Sequence, residues 1–409
     1  MKKRLIAAGS ALMAGALGWA GTTWVLSAGP TTSIGASTQF TTTTTTSAAP
    51  TAPGSTAPTP TGPTCAETIA AWPVDRRVAQ LLMVEIEFGA PDPTTYATAG
   101  AGGLVVLGHV PTTAGPALTD ANRVFSAAAT AAGQLPPFVA TDEEGGGVAR
   151  LSSVITTLPW ERQQAMQWSP AQLQAVLTTH AAAMRSLGFT MDLAPVLDSA
   201  PDGFAVGHEG LRSYSSSATT VAAYGVAAVQ GLRAGGLTPV IKHFPGLGHV
   251  SADTDFHPAL DPPIAQLEGA DLVPFSQAVA AGAPAVLMSN AVVPGLTAGL
   301  PTSLAPAAYA YLRQRLGFAG VTVTDSLGAG AVSAAGFTEP AAAVAAVTAG
   351  ADMALVDAAN FAAAAAALTQ AATSGALAAA QIDASVGRVL ATKGFAGCVP
   401  VAPVPAVPH

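Results

Sequence analysis

Residues 218–242 read ATTVAAYGVAAVQGLRAGGLTPVIK, and this stretch decides how the chain folds. Ala218–Ala234 carries apolar residues at helical spacing, and the pair Gly235-Gly236 stops it. Pro239–Lys242 follows as a short apolar run with no alternating polar face, which predicts a strand buried on both sides. The same unit repeats outward in both directions. The strand candidates are Leu81–Ile86, Gly103–Leu107, Pro137–Thr141, Met191–Pro195, Pro239–Lys242, Ala285–Ser289, Val321–Thr324 and Met353–Val356. Between them lie Ala-rich helical stretches such as Pro170–Ser186, which ends before Gly188. Short buried strands alternating with helices predict an α/β fold with a parallel sheet. Eight of them fit a closed (β/α)8 TIM-type barrel better than an open doubly wound sheet. Gly145-Gly146-Gly147 follows a strand but lacks the dinucleotide fingerprint, so no nucleotide site is expected.

Composition narrows the function classes. Half of the 409 residues are hydrophobic and 10% are charged, against a usual charged share of roughly 25%. Such a chain has ample surface to bury and is not mainly disordered. Its formal net charge is -8, and no Lys/Arg cluster occurs beyond the first four residues, so nucleic acid is not expected as a partner. The mean hydropathy of +0.44 comes mainly from alanine rather than from several bilayer spans. Only Leu5–Ala28 is long and apolar enough to span, and Lys2, Lys3 and Arg4 precede it in the order of a secretory signal. Residues 1–29 therefore read as a signal peptide or signal anchor, and the protein as exported, either secreted or held at the cell envelope. Residues 30–64, with Thr41–Thr46 in one block, read as a disordered Thr/Pro/Ser-rich linker. Cys65 and Cys398 bracket the globular region, and in an oxidising compartment they are expected to form one disulfide. Residues 65–398 read as a single globular domain, and 399–409 as a disordered tail.

Reactive groups in such a barrel sit at the carboxyl ends of its strands. Reading just past the strand candidates gives Asp142, Asp198, Lys242 with His243, Asn290 and Asp325. The densest segment is VIKHFPGLGHVSADTDFH, residues 240–257. One reading makes His243, His249 and His257, with Asp253 or Asp255, a metal site. The other is acid/base chemistry: Asp255 and His257 stand two apart, so the carboxylate can hold the imidazole and stabilise its protonated form. Asp325 is then placed to act as a carboxylate nucleophile on the same barrel mouth.

Five segments in order carry a resemblance: ATDEEGGGVARL (140–151), DLAPVLD (192–198), LRSY (211–214), KHFPGLG (242–248) and VTDSL (323–327). Together they are similar to the catalytic barrel of glycoside hydrolase family 3, in its single-domain β-N-acetylhexosaminidase branch. The resemblance spans about Ala66–Gly397 and implies a barrel without the second α/β-sandwich domain of the larger β-glucosidases.

Carried over, it implies Asp325 as the nucleophile that forms a covalent glycosyl intermediate, His257 as acid/base, and Asp255 as the group orienting His257. It also implies that Asp142, Arg150, Arg212, Lys242 and His243 hold the hydroxyls of a terminal sugar. No metal and no organic cofactor are required. The implied substrate is a β-linked N-acetylglucosamine at the end of a cell-wall muropeptide or related amino-sugar glycan, and the protein is expected to be a monomer held near the wall or outer membrane face by its amino-terminal segment. The sequence departs from the family pattern at Gly147, where Arg is usual, and at Leu247, where His is common; the loop to Asp255 reads as two residues longer than usual. A β-glucosidase or β-xylosidase of the same family and a catalytically inactive wall-glycan binder are the alternatives.

Overall fold

The computed structural model describes residues 64–90, 92–201, 209–395 and 397–398. The expected signal segment, the linker up to residue 63 and the tail lie outside the described residues. The strands are β1 (Leu82–Glu87), β2 (Gly103–Leu107), β3 (Phe138–Thr141), β4 (Met191–Asp192), β5 (Thr238–Phe244), β6 (Ala285–Met288), β7 (Val321–Thr324) and β8 (Ala354–Asp357). They run parallel in the order β8-β1-β2-β3-β4-β5-β6-β7. A parallel bridge between Val323 and Met353 joins the two ends of the sheet. The (β/α)8 barrel read from the sequence is therefore the fold.

Asp352 fixes that last seam. Its buried carboxylate accepts from Arg313 at 2.6 Å, from Arg388 at 2.8 Å and from the Thr322 N–H at 2.8 Å. Burial alone would raise the Asp352 pKa, but the two guanidinium groups hold it below the usual carboxylate range. The barrel interior is filled from every wall, by Met83, Val105, Ala140, Leu193, Val240, Leu287, Val323 and Leu355. A larger apolar layer lies between sheet and helices, including Val84, Leu104, Val139, Ile241 and Val286 facing Leu118, Phe125, Leu177, Leu232 and Phe275. Each such fully buried side chain stabilises the fold by about 1.5–3 kcal/mol relative to exposure.

The helices begin and end where the sequence signals. Ser169 caps Pro170–Ser186 through a capping box with Gln172, and Pro170 occupies its first turn. Ala218–Ala234 packs closely along it because two glycines face the contact. A Cβ on Gly231 would lie 2.6 Å from the Gln174 carbonyl oxygen, and one on Gly235 would lie 2.4 Å from Ala181 Cβ. The strand expected over Met191–Pro195 is shorter, Met191–Asp192, although the chain beyond it still bonds to β5, the Val240 N–H donating to the Ala194 carbonyl at 3.0 Å and the Lys242 N–H to the Pro195 carbonyl at 3.2 Å. Conversely β5 runs two residues past its expected end, to Phe244, and so carries Lys242 and His243 within the strand. Cys65 and Cys398 are bonded, with Cα atoms 4.9 Å apart.

Candidate active site

A cavity of about 450 Å³ opens at the carboxyl ends of the strands. Asp142, Arg150, Arg212, Lys242, His243, Asp255 and Asp325 all line it, although up to 183 residues separate them in the chain. His257 does not: it is exposed, outside the cavity lining, and among the described residues only its backbone N–H bonds, to the Asp253 carbonyl at 2.9 Å. The expected contact between Asp255 and the His257 ring is thus not formed in this structure.

One wall is a charged network. From β5, Lys242 Nζ donates to Asp142 Oδ1 at 2.6 Å and meets Glu144 Oε1 at 2.7 Å. Arg212 grips Glu144 with two bonds, Nε to Oε2 and Nη2 to Oε1, both 2.8 Å. Glu144 is buried, which by itself would keep it protonated; Arg212 and Lys242 outweigh that and hold it ionised, far below the usual carboxylate range. Lys242 is held charged in the same way, its burial offset by Asp142 and Glu144. Arg150 Nη2 lies 3.9 Å from Asp142 Oδ2, close enough for attraction but not for a hydrogen bond.

A short hairpin, Glu143–Gly145 with Val148–Ala149, presents this wall. Its turn needs glycine for two reasons. Gly146 has a φ of 56°, and a Cβ there would sit 2.1 Å from the Trp160 ring. A Cβ on Gly147 would lie 2.6 Å from the same ring. Trp160 therefore fills the space over the turn, which is the physical reason that Gly147 carries no charged side chain here.

His243 is oriented from behind by Asp198, whose Oδ2 lies 2.7 Å from Nδ1. The other Asp198 oxygen accepts the His243 and Leu247 N–H groups at 3.1 and 2.8 Å. Burial disfavours the charged ring, yet Asp198 raises the His243 pKa overall. On the opposite wall Asp325 leaves β7, half-buried, with the Ser326 N–H on its own Oδ1 at 2.9 Å. Asn290, another residue read as a strand-end candidate, supports this corner from below: its Nδ2 donates to the Ser326 carbonyl at 2.7 Å, and Ser303 Oγ donates to its Oδ1 at 2.6 Å.

The three histidines of the alternative metal reading do not converge. His243 meets Asp198, His249 lies 3.3 Å from Asp271, and His257 is exposed outside the cavity lining. Among the described residues no group of three or more His, Cys, Asp or Glu side chains is arranged to hold a metal ion.

The sequence reading missed three cavity carboxyls, Glu144, Glu85 and Asp357. Glu144 lay inside a quoted motif but was given no role. Glu85 stands within β1 and Asp357 at the end of β8, and the scarcity of charge in this chain could have marked them as it marked the others. Burial pushes the Glu85 carboxyl up to about 8, opposed by the Ser326 hydroxyl at 2.9 Å and reinforced by the Asp357 and Asp325 charges.

A polar cavity at the mouth of a (β/α)8 barrel, lined by Arg, Lys and His donors and by several carboxyl groups, has the donors and acceptors that a polyhydroxylated ring needs. The comparisons agree. The family model described as the glycosyl hydrolase family 3 N terminal domain matches residues 73–392. The chain therefore belongs to glycoside hydrolase family 3 and is a glycoside hydrolase. It is 36% identical over 287 residues to the β-hexosaminidase LpqI of Mycobacterium tuberculosis, covering 68% of this chain and 72% of that one. A family 3 glycosyl hydrolase from Mycobacterium smegmatis superposes with a TM-score of 0.74 at 35% identity, covering 79% of this chain and 98% of the other. A β-N-acetylhexosaminidase from Beutenbergia cavernae gives a TM-score of 0.73 at 31% identity, with 80% and 100% covered.

Proposed function

We propose that the protein is an exported, exo-acting, retaining β-N-acetylhexosaminidase. It removes terminal β-linked N-acetylglucosamine from cell-wall muropeptides or related amino-sugar glycans through an ester on Asp325. The observation that carries the reading is the placing of Asp325 in the cavity opposite the network of Lys242, Asp142, Glu144 and Arg212. The names of the relatives supply the N-acetylated sugar.

In this reading Asp142 accepts from ring hydroxyls while Arg150, Arg212, Lys242 and His243 donate, all but Arg150 held by a hydrogen-bonded partner before substrate arrives. Pre-formed donors and acceptors position C1 for attack at no further ordering cost, the main contribution a rigid site makes. Asp325 attacks C1 from one face, and the proton for the departing oxygen comes from the Asp253–His257 loop on the other side of the cavity. Export follows from the amino-terminal sequence and is in keeping with the Cys65–Cys398 disulfide. Among the described residues no helix is long and apolar enough to cross a membrane.

The test is hydrolysis of an aryl β-N-acetylglucosaminide by wild type and Asp325→Ala, with mass spectrometry of the protein after a 2-deoxy-2-fluoro glycoside. Rapid turnover, its loss in the variant and a sugar ester on the Asp325 peptide are the expected results. Good hydrolysis of a β-glucoside or β-xyloside with none of the N-acetylated substrate would move the protein to that activity. Tight sugar binding without turnover of any glycoside would make it a binding protein.

A further inference from the structure

We propose that Glu85 is a positioning residue for the nucleophile, holding Ser326 and through it the Asp325 carboxylate in the attacking position. The inference rests on the retaining reading above and deepens it. Glu85 enters the same cavity as Asp325, but from β1, near the other end of the chain.

Ser326 is held at three atoms. Its N–H donates to Asp325 Oδ1 at 2.9 Å, its carbonyl accepts from Asn290 Nδ2 at 2.7 Å, and its hydroxyl donates to Glu85 Oε2 at 2.9 Å. The first bond fixes one oxygen of the nucleophile, and the third fixes the residue that makes it. The chain beyond is seated on β8. The Leu327 N–H donates to the Leu355 carbonyl at 3.0 Å, and a Cβ on Gly328 would lie 3.1 Å from Asp357 Oδ2. Asp357 is held in turn by Glu339, whose carboxylate accepts the Asp357 N–H and a bond from Asn360 Nδ2. The turn that follows the nucleophile therefore rests on two carboxyl groups, Glu85 and Asp357.

Those two groups cannot both be ionised at little cost. Glu85 and Asp357 are register partners on neighbouring parallel strands. Their side chains leave the sheet side by side, from strands about 4.8 Å apart. The charged groups that act on Glu85, Asp357 from β8 and Asp325 from the end of β7, are both negative. Glu87, the next carboxyl along β1, lies instead against Gly108, where a Cβ would be 2.5 Å from its Oε2. A side-chain hydrogen bond also joins Glu85 to Asp357, and between two carboxyl groups such a bond needs a proton on one of them. Burial, reinforced by Asp357 and Asp325 and opposed by the Ser326 hydroxyl, raises Glu85 to about 8, so the proton sits there.

A neutral Glu85 suits this task in a way that a carboxylate does not. It accepts the Ser326 hydroxyl, donates its proton in the bond to Asp357 and adds no charge beside Asp325. Once ionised it loses the bond to Asp357, and three adjacent carboxylates repel one another, pushing Asp325 off its line of attack. A displacement of about 1 Å at a reacting group can cost about 10²-fold in rate. Glu85 thus ties the aim of the nucleophile to a single proton.

The experiment follows wild type, Glu85→Ala, Glu85→Gln, Ser326→Ala and the double variant of Glu85→Ala with Ser326→Ala on an aryl β-N-acetylglucosaminide that releases a strongly acidic phenol. Such a leaving group departs without a proton, so kcat/KM reports the attack by Asp325 and not the general acid. Glu85→Ala should lose about 10²-fold, while its inhibition constant for N-acetylglucosamine stays that of wild type, which also shows that the variant folds. Glu85→Gln keeps an acceptor for Ser326 and a donor for Asp357, and should recover most of that loss. The wild-type kcat/KM should fall above about pH 8, and this limb should be absent from Glu85→Gln. Ser326→Ala should match Glu85→Ala, with the double variant no worse than either. The same alkaline limb in Glu85→Gln, losses that multiply in the double variant, or weaker binding of N-acetylglucosamine in step with the lost rate would each overturn the assignment. Wild type that turns over no N-acetylated glycoside, or that loses nothing on Asp325→Ala, refutes the underlying reading instead, and this role with it.

Discussion

Glu144 offers the most direct way to weigh the cavity's charged wall. Its two oxygens take two bonds from Arg212 at 2.8 Å and a third contact from Lys242 at 2.7 Å, all out of solvent. Replacing it by Gln keeps the shape but removes the charge, so one amide oxygen faces donors that two anionic oxygens had satisfied. The amide NH₂ then points at a cation. Breaking a buried ionic contact from one side costs about 3–5 kcal/mol, because the remaining charges are left uncompensated. With total stability of roughly 5–15 kcal/mol for a folded domain, a loss of that size is plain in a denaturation curve. The pH dependence gives a second signature. The Glu144 pKa is depressed in the folded state, below the ordinary value of 4.5, so its contribution is present above that value and is lost as pH falls further. Between about pH 4.5 and lower, the unfolded chain takes up a proton that the folded one does not. One such group steepens the acid slope by up to about 1.4 kcal/mol per pH unit. Urea unfolding of wild type and Glu144→Gln at neutral and acid pH measures both effects. The variant should be less stable at neutral pH, and the difference should shrink on acidification. A Glu144→Gln protein within about 1 kcal/mol of wild type at neutral pH, with the same acid slope, would refute the reasoning.

Three further expectations follow from other parts of the molecule. Gly146→Ala must place a methyl group into the Trp160 ring from a left-handed backbone, so we expect a loss of about 2–4 kcal/mol in urea unfolding and a raised KM, since the hairpin carries Glu144. Cys65→Ser with Cys398→Ser opens a cross-link spanning 333 positions and should lower stability by about 2–4 kcal/mol, read as a fall in Tm that reductant reproduces in wild type. Lys393, whose Nζ lies 3.0 Å from Gln80 and 5.2 Å from the Phe138 ring, has its pKa lowered to about 7 by burial. Its burial penalty is full below about pH 7 and fades as pH climbs toward the ordinary lysine value of 10.5, so Lys393→Met should stabilise the fold by about 1–3 kcal/mol at mildly acid pH and less at alkaline pH.

Most of the fold was legible because its signals are local. The change from helical spacing to a short apolar run recurs at the helix-to-strand junctions, marked by Gly188 at one and by Gly235-Gly236 at the next. β2 and β7 begin and end where the sequence predicts, as do the helices Pro170–Ser186 and Ala218–Ala234. Asp142, Lys242, His243 and Asp325 were legible for a related reason: in a chain with 10% charged residues, a charge at a strand end stands out.

What escaped the sequence depends on contacts across the chain. Glu144 becomes an ionised anchor only when Arg212 and Lys242, 68 and 98 positions away, close around it. Spacing alone could not say which member of Asp255 and His257 faces the cavity. The loop that carries them is held by the Gly330 and Ala331 N–H groups, more than seventy positions later in the chain. Helix and strand periods are written in neighbouring residues, so the sequence by itself determined the barrel and the ring of polar groups at its mouth. The direction of a loop side chain and the charge of a buried carboxyl are set by whatever packs against them, and only the tertiary structure supplies those neighbours.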